Sequence, residues 1–247
     1  MTAGADGAPA EVTSVEDCDL RVTDRVWPFA ADRASEIDAH WQRRCAESPS
    51  LFNGRVYMLS SYKIADGRLT GALFPVEFKQ FLYWKDQGGP DASVCDVFGS
   101  ALIRSSDGAI LLGRQRAGNV NAGLVYLPGG FIDSRDTSSD GRVDLRASVL
   151  REVREETGLA PRMLAASDGY LVTTVGRQVS IAVELIGDAD AATLQDRIRH
   201  TFGEEAEPEL EDIVVVRSWD EVAALPVPHY ARVLLAHLMQ RQPAAKA

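Results

Sequence analysis

The nine residues Arg151-Glu-Val-Arg-Glu-Glu-Thr-Gly-Leu159 constrain this chain more tightly than any other stretch. Nothing from Leu145 to Thr157 breaks a helix, Asp144 is a good N-cap, and Gly158 stands where a glycine stop belongs. Side chains three and four positions apart share a helix face. Glu152 and Glu156 therefore stack, with Glu155 beside them, while Leu145, Val149 and Val153 form an apolar stripe. Such a helix buries one side and aims three carboxylates at one small volume. Like charges that close raise one another's pKa and need compensation. Arg151 and Arg154 supply part of it. A hard cation supplies it better, because Mg2+ takes oxygen ligands and usually combines one or two carboxylates with substrate phosphates. A bare Arg–Glu run is more often a solvated face. The Leu127-Pro-Gly-Gly130 turn upstream and the glycine stop downstream favour the other reading: a glycine loop feeding an acidic helix that holds a divalent metal against a diphosphate.

These residues resemble the Nudix box, G-x5-E-x7-R-E-U-x-E-E-x-G-U with U aliphatic. Gly130 fits its start, and Arg151, Glu152, Val153, Glu155, Glu156, Gly158 and Leu159 fit every fixed position of its second half. The first half departs from the pattern, with about seven extra residues between Gly130 and Arg151. Counting forward from Gly130 places Asp136 at the first box glutamate; counting back from Arg151 places Val143 there. Asp133, Asp136, Asp140 and Asp144 all remain as substitutes. The polar run 135–142 is expected to bulge out as a loop, and segment 134–142 to tolerate shortening.

The resemblance implies a Nudix α/β/α sandwich around a mixed β-sheet, spanning residues 93–241. Strands and helices that interleave without βαβ regularity agree with it. It implies that Glu152, Glu155 and Glu156 bind Mg2+ or Mn2+, and that Arg151 orients the glutamates. The reaction implied is hydrolysis of a nucleoside diphosphate linked to another moiety, in which metal neutralises the diphosphate and activates water. Gly129 and Gly130 would lie against the substrate, and Arg114 and Arg116 are suited to phosphate oxygens. Many Nudix enzymes draw a further carboxylate from a late loop. Glu204, Glu205, Glu207 and Glu209 are eligible, and Glu205 is taken as the general base.

The N-terminal part carries a second resemblance. Phe52-Asn-Gly54, a hairpin around Ala65-Asp-Gly67 and the helix motif Phe78-Lys-Gln-Phe-Leu82 are similar to the extension of a Nudix branch that cleaves UDP-glucose and UDP-galactose. This implies a UDP-sugar cut to UMP and a sugar 1-phosphate. ADP-ribose, coenzyme A and dinucleotides are the other family substrates to weigh, and a non-catalytic nucleotide sensor is a further alternative. The family's proline associated with ADP-ribose cleavage is missing where Thr173 and Thr174 stand, and a sensor has no need of a full carboxylate set. The other use of the extension is as packing and homodimerisation surface.

Along the chain, residues 1–17 are small and acidic and are expected to be disordered. Residues 18–90 form a small α+β extension: a strand within 19–30, a helix from Ala34 to Glu47, the hairpin, and a helix from Pro75 to about Trp84. Asp86-Gln-Gly-Gly-Pro90 ends it. Tyr83 and Trp84 could stack on a base, although aromatics at helical spacing more often fill a core. Net charge is −10 and no Lys/Arg run forms a nucleic-acid or membrane patch. Cys18, Cys45 and Cys95 have no zinc or CxxC spacing and fit reduced packing residues. No signal peptide or spanning apolar run is visible, so a cytoplasmic location is expected.

Overall fold

The computed structural model describes residues 10–117, 121–204 and 208–240. Strands β1 (Ala10–Val15) and β2 (Asp17–Val22) lead into α1 (Pro28–Asp32), α2 (Ala34–Glu47), β3 (Arg55–Ala65), β4 (Arg68–Glu77) and α3 (Phe78–Asp86). Then come β5 (Asp96–Arg104), β6 (Ile110–Gln115), β7 (Val125–Tyr126), β8 (Gly129–Phe131), α4 (Leu145–Thr157), β9 (Leu164–Ala166), β10 (Tyr170–Val175) and β11 (Gln178–Gly187). The chain continues through α5 (Ala191–Glu204), β12 (Leu210–Val216), α6 (Trp219–Ala223) and α7 (His229–Gln240).

The large sheet runs β1-β10-β11-β5-β6-β12, with β7, β8 and β9 paired onto β6, β5 and β11. The β11–β5 pair is parallel and the other pairs are antiparallel, so the sheet is mixed as expected. The apolar stripe of α4 packs on one face: Val149 and Val153 join Ala101, Ile103, Val183 and Leu185, together with Leu194 and Ile198 of α5. On the opposite face Leu234 and Leu235 of α7 cover Leu102, Leu112 and Ala182. This is the α/β/α sandwich.

A three-stranded sheet, β2-β4-β3, carries α1, α2 and α3 on one side. Its other side shares a core with the large sheet, where Leu59, Leu69 and Leu73 meet Val97, Val179 and Ile181. The expected hairpin is present as β3 and β4, and the helix over Ala34–Glu47 is α2. Tyr83 and Trp84 are core residues, buried against Trp27, Phe29 and Phe74.

Three expectations are corrected. Residues 10–15, placed in a disordered tail, form β1, which pairs along its whole length with β10; residues 1–9 lie outside the described part. Pro75 does not begin a helix. It lies in β4 beyond the end of β2, so no neighbour on that side needs its missing N–H. Helix α3 starts at Phe78, where Glu77 and Gln80 form a capping box and the Asn53 side chain accepts from Lys79 N–H at 2.9 Å. Phe52-Asn-Gly54 and the Phe-Lys-Gln-Phe-Leu helix are therefore one physical unit.

The third correction concerns the insertion. It is folded rather than loose. Ser134–Asp136 form a 3-10 turn, Thr137 bridges to Val143, and Arg142 bridges to Arg21 of β2. Val22 N–H donates to Gly141 O at 2.8 Å, and Val143 N–H to Leu20 O at 3.0 Å. The extra residues tie the box to the edge of the small sheet.

Candidate active site

Helix α4 forms as its sequence dictates: Asp144 accepts from Ala147 N–H at 3.0 Å and Gly158 closes the C-terminus. It fixes Glu152 and Glu156 directly beneath β8. Gly129 has φ +156°, and a Cβ there would lie 2.2 Å from the Gly99 carbonyl oxygen. A Cβ on Gly130 would lie 2.5 Å from a carboxylate oxygen of Glu152. Only glycine at both positions lets the loop backbone lie on the carboxylates. Gly129 N–H donates to Glu156 Oε2 at 3.0 Å.

The three glutamates have different surroundings. Glu156 is buried and, among the described residues, makes no ion pair. Burial pushes its carboxyl well above the ordinary range, and the charges of Glu209 and Glu152 add to this; the Gly129 N–H opposes them. Burial also raises Glu152, with Arg151 pulling against it. Glu155 is half-exposed and lies 3.2 Å from Arg151. Arg151 is the hub: it donates to Glu152 at 2.6 Å and to Asp136 at 2.9 Å. Asp136 is buried and also accepts from Asp133 N–H at 2.9 Å. It stands where the forward count from Gly130 puts the box's first acid.

The structure separates the two candidate arginines. Arg114 reaches the Gly123 carbonyl, 3.5 Å away, and does not line the cleft described next; Arg116 does. Among the four loop acids, Glu205, Glu207 and the side chain of Glu204 lie outside the described residues. Glu209 is described, and it is the acid whose charge bears on Glu156. Gln115 Nε2 donates to it at 3.3 Å.

A cleft of about 610 Å3 opens beside this cluster, between the extension and the large sheet. Phe78 and Phe81 of α3 form one wall, with Phe52 and Lys85 near them; Tyr126, Phe131, Gln115, Arg116 and Glu209 line the other. Phe131 follows the two loop glycines and meets Phe81 edge-on with centroids 4.9 Å apart. Tyr126 joins the cleft to the acids: its hydroxyl is raised by burial and by the charges of Glu156 and Glu209. Sequence reasoning missed Tyr126, Phe131, Lys85 and Gln115. Only β6 alternation, which turns Gln115 away from Arg114, carried a local signal for any of them.

The NUDIX domain family matches residues 97–240, more than half of the 247-residue chain. The chain belongs to the NUDIX family. It is a Nudix hydrolase, acting on the diphosphate of nucleoside diphosphate derivatives. No curated protein matches it. Solved structures similar to this Nudix hydrolase include the Nudix hydrolase RenU from M. smegmatis, 18% identical over 62% of this chain and 90% of that one, with a TM-score of 0.40. A MutT protein from Methanosarcina mazei Go1 is 24% identical over 60% and 96%, TM-score 0.40. The NUDIX domain of Shewanella oneidensis NrtR, solved with ADP ribose, is 20% identical over 64% and 93%, TM-score 0.38. No described helix is long and apolar enough to cross a membrane.

Nudix hydrolases generally use divalent metal ions. Among the described residues no three acidic, histidine or cysteine side chains already surround one point, as Arg151 draws Glu152 and Glu155 toward itself. The donor set nonetheless fits a hard cation. Glu156 faces the charges of Glu152 and Glu209, and its one hydrogen bond shown is the loop N–H.

Proposed function

We propose that this Nudix hydrolase is a metal-dependent diphosphatase for a nucleotide sugar, with a UDP-sugar preferred, giving UMP and a sugar 1-phosphate. The observation that carries this is the cleft, which runs from the aromatic wall of α3 to Tyr126 and Glu209 beside Glu156. A flat base stacks well on aromatic rings, and a volume of about 610 Å3 is of the size used for compact ligands. The extension that resembles the UDP-sugar branch builds that wall.

Glu152, Glu155 and Glu156 would hold Mg2+ or Mn2+, with Glu209 as a further oxygen donor or as the base. The metal, when bound, screens the diphosphate and makes a bound water a better nucleophile. Arg151 and Asp136 set the orientation of Glu152 and Glu155. Arg116 and Lys85 place two cations at the cleft for the anionic substrate. Gly129 and Gly130 close over the acids so that phosphate oxygens meet backbone at short range. Water oxygen bonds to phosphorus as the bridging P–O bond breaks, and its proton passes to a carboxylate. Glu205, the base expected from sequence, lies outside the described residues; Glu209 has the supporting proximity to Glu156.

A panel of UDP-glucose, UDP-galactose, ADP-ribose, coenzyme A and dinucleotides, assayed with Mg2+, Mn2+ and chelator, tests the proposal. The expected result is metal-dependent release of UMP with kcat/KM highest for a UDP-sugar. A preference for ADP-ribose or coenzyme A by tenfold or more would refute the sugar reading, and turnover undiminished by chelator would refute the metal assignment.

A further inference from the structure

We propose that Phe131 is a positioning residue for the hydrolysis: it transmits the packing of the N-terminal extension to the glycine pair that lies on Glu152 and Glu156. This rests on those acids being the metal-holding end of the site. Phe131 follows Gly129 and Gly130 in β8 and pairs with Phe98 of β5. Its ring packs against the aromatic core of the extension. It meets Phe81 edge-on with centroids 4.9 Å apart and Phe78 edge-on at 5.8 Å. Phe81 is 1% exposed, so it is a fixed wall rather than a yielding one. The next residue, Ile132, is fully buried in a different core, beside Leu59, Leu69 and Leu73 of the extension. Its carbonyl accepts from Tyr57 N–H of β3 at 3.0 Å. The glycine loop is thus anchored at its start by the large sheet, where Ala101 N–H donates to Pro128 O at 2.7 Å, and at its end by the extension.

Glycines have no side chain with which to hold their own place, so the position of this pair is inherited from its flanks. That position matters at short range. Gly129 N–H donates to Glu156 at 3.0 Å, and the Gly130 backbone lies so near Glu152 that a Cβ would stand 2.5 Å from its carboxylate oxygen. A shift of the loop therefore moves the hydrogen bond of one acid and the packing of the other. Partners that orient a metal's ligands, without touching the metal, commonly matter ten- to a hundredfold. A ring that merely lined the cleft would act on KM. A ring wedged between the extension and the loop acts on kcat and on metal affinity.

Phe131→Leu keeps an apolar side chain and removes the ring contacts. Its substrate-free Mn2+ affinity, read by electron paramagnetic resonance, is expected to weaken about tenfold. Its kcat, on whichever member of the panel turns over fastest, is expected to fall roughly ten- to a hundredfold, with KM changing less. Every variant is assayed well below its melting temperature. Phe81→Leu, on the extension, is expected to reproduce both effects, and the double variant to add little, since the two changes remove one contact. Should Phe81→Leu not fold, Phe78→Leu, the less buried of the two rings, replaces it. A rise in KM with kcat and Mn2+ affinity within twofold of wild type would overturn the proposal. Penalties that simply add in the double variant would overturn it too, since Phe131 would then act without the extension. If the wild type binds no Mn2+, the metal reading of the acids fails, and the kcat comparison alone decides the role of Phe131.

Discussion

The two ends of the cleft are built in opposite ways. At the acidic end, Glu152, Glu155 and Glu156 come from one helix, and the loop above them lies only some twenty residues upstream in sequence. Their geometry follows from helical periodicity, a cap and two glycines. At the aromatic end, Phe78 and Phe81 of the extension meet Phe131 of the Nudix domain, and Phe52 and Tyr126 line the same cleft, residues far apart in the chain. The proposed catalytic end sits on a local device, and the proposed substrate-selecting surface is assembled across the fold. Loops and extensions tolerate change better than a packed helix.

The sharpest way to break that contrast is Glu156→Gln. Turnover at saturating Mg2+ is expected to fall by on the order of a thousandfold or more, while the melting temperature of the metal-free protein does not fall. The amide keeps the shape and relieves the crowding with Glu152 and Glu209. Turnover at the wild-type level would remove Glu156 from the metal site.

Asp136→Ala tests whether the acidic end depends on its insertion. It leaves Arg151 without its buried partner, so unfolding free energy measured in urea is expected to drop by about 2–4 kcal/mol. Turnover falls as well, because Arg151 no longer holds Glu152 and Glu155 from a fixed anchor. Shortening 138–140, in contrast, keeps that ion pair and loosens only the tie to β2; activity is retained and the melting temperature falls less than in Asp136→Ala.

At the aromatic end, Phe52 is 80% exposed although it lines the cleft. Phe52→Ala is expected to raise KM about two- to tenfold, the range of one aromatic contact, with kcat and melting temperature unchanged. An equal fall in kcat would show that the two ends are coupled.

The smallest effect is expected far from both. Hydrogen bonds from Ser105 and Arg217, and one from Ala191 N–H, hold the Asp107 carboxyl down at about 2. A depressed carboxylate stabilises the fold above its unfolded pKa, and that contribution is lost as pH falls from about 4 toward 2. Asp107→Asn is thus expected to lower the melting temperature at pH 7, with the difference from wild type closing as pH approaches 2 and activity at pH 7 unaffected.

What was legible in the sequence was whatever depends on near neighbours. The helix from Leu145 to Thr157, its cap and stop, the hairpin around Asp66–Gly67 and the paired strands β10 and β11 follow from local spacing. The shared face of Glu152 and Glu156 followed because three and four residues along a helix is a fixed distance. The sequence could not choose among four aspartates for the missing box acid, since each is equally polar and equally near. In the fold it is Asp136 that is buried and ion-paired with Arg151. Nor could it place residues 10–15 in a strand, because that pairing is with a partner about 160 residues away. The cleft belongs to the same class. Its walls meet only when the extension packs on the large sheet, so which side chains face each other was decided by long-range packing, whereas the chemistry they serve was written in one turn-rich loop and one helix.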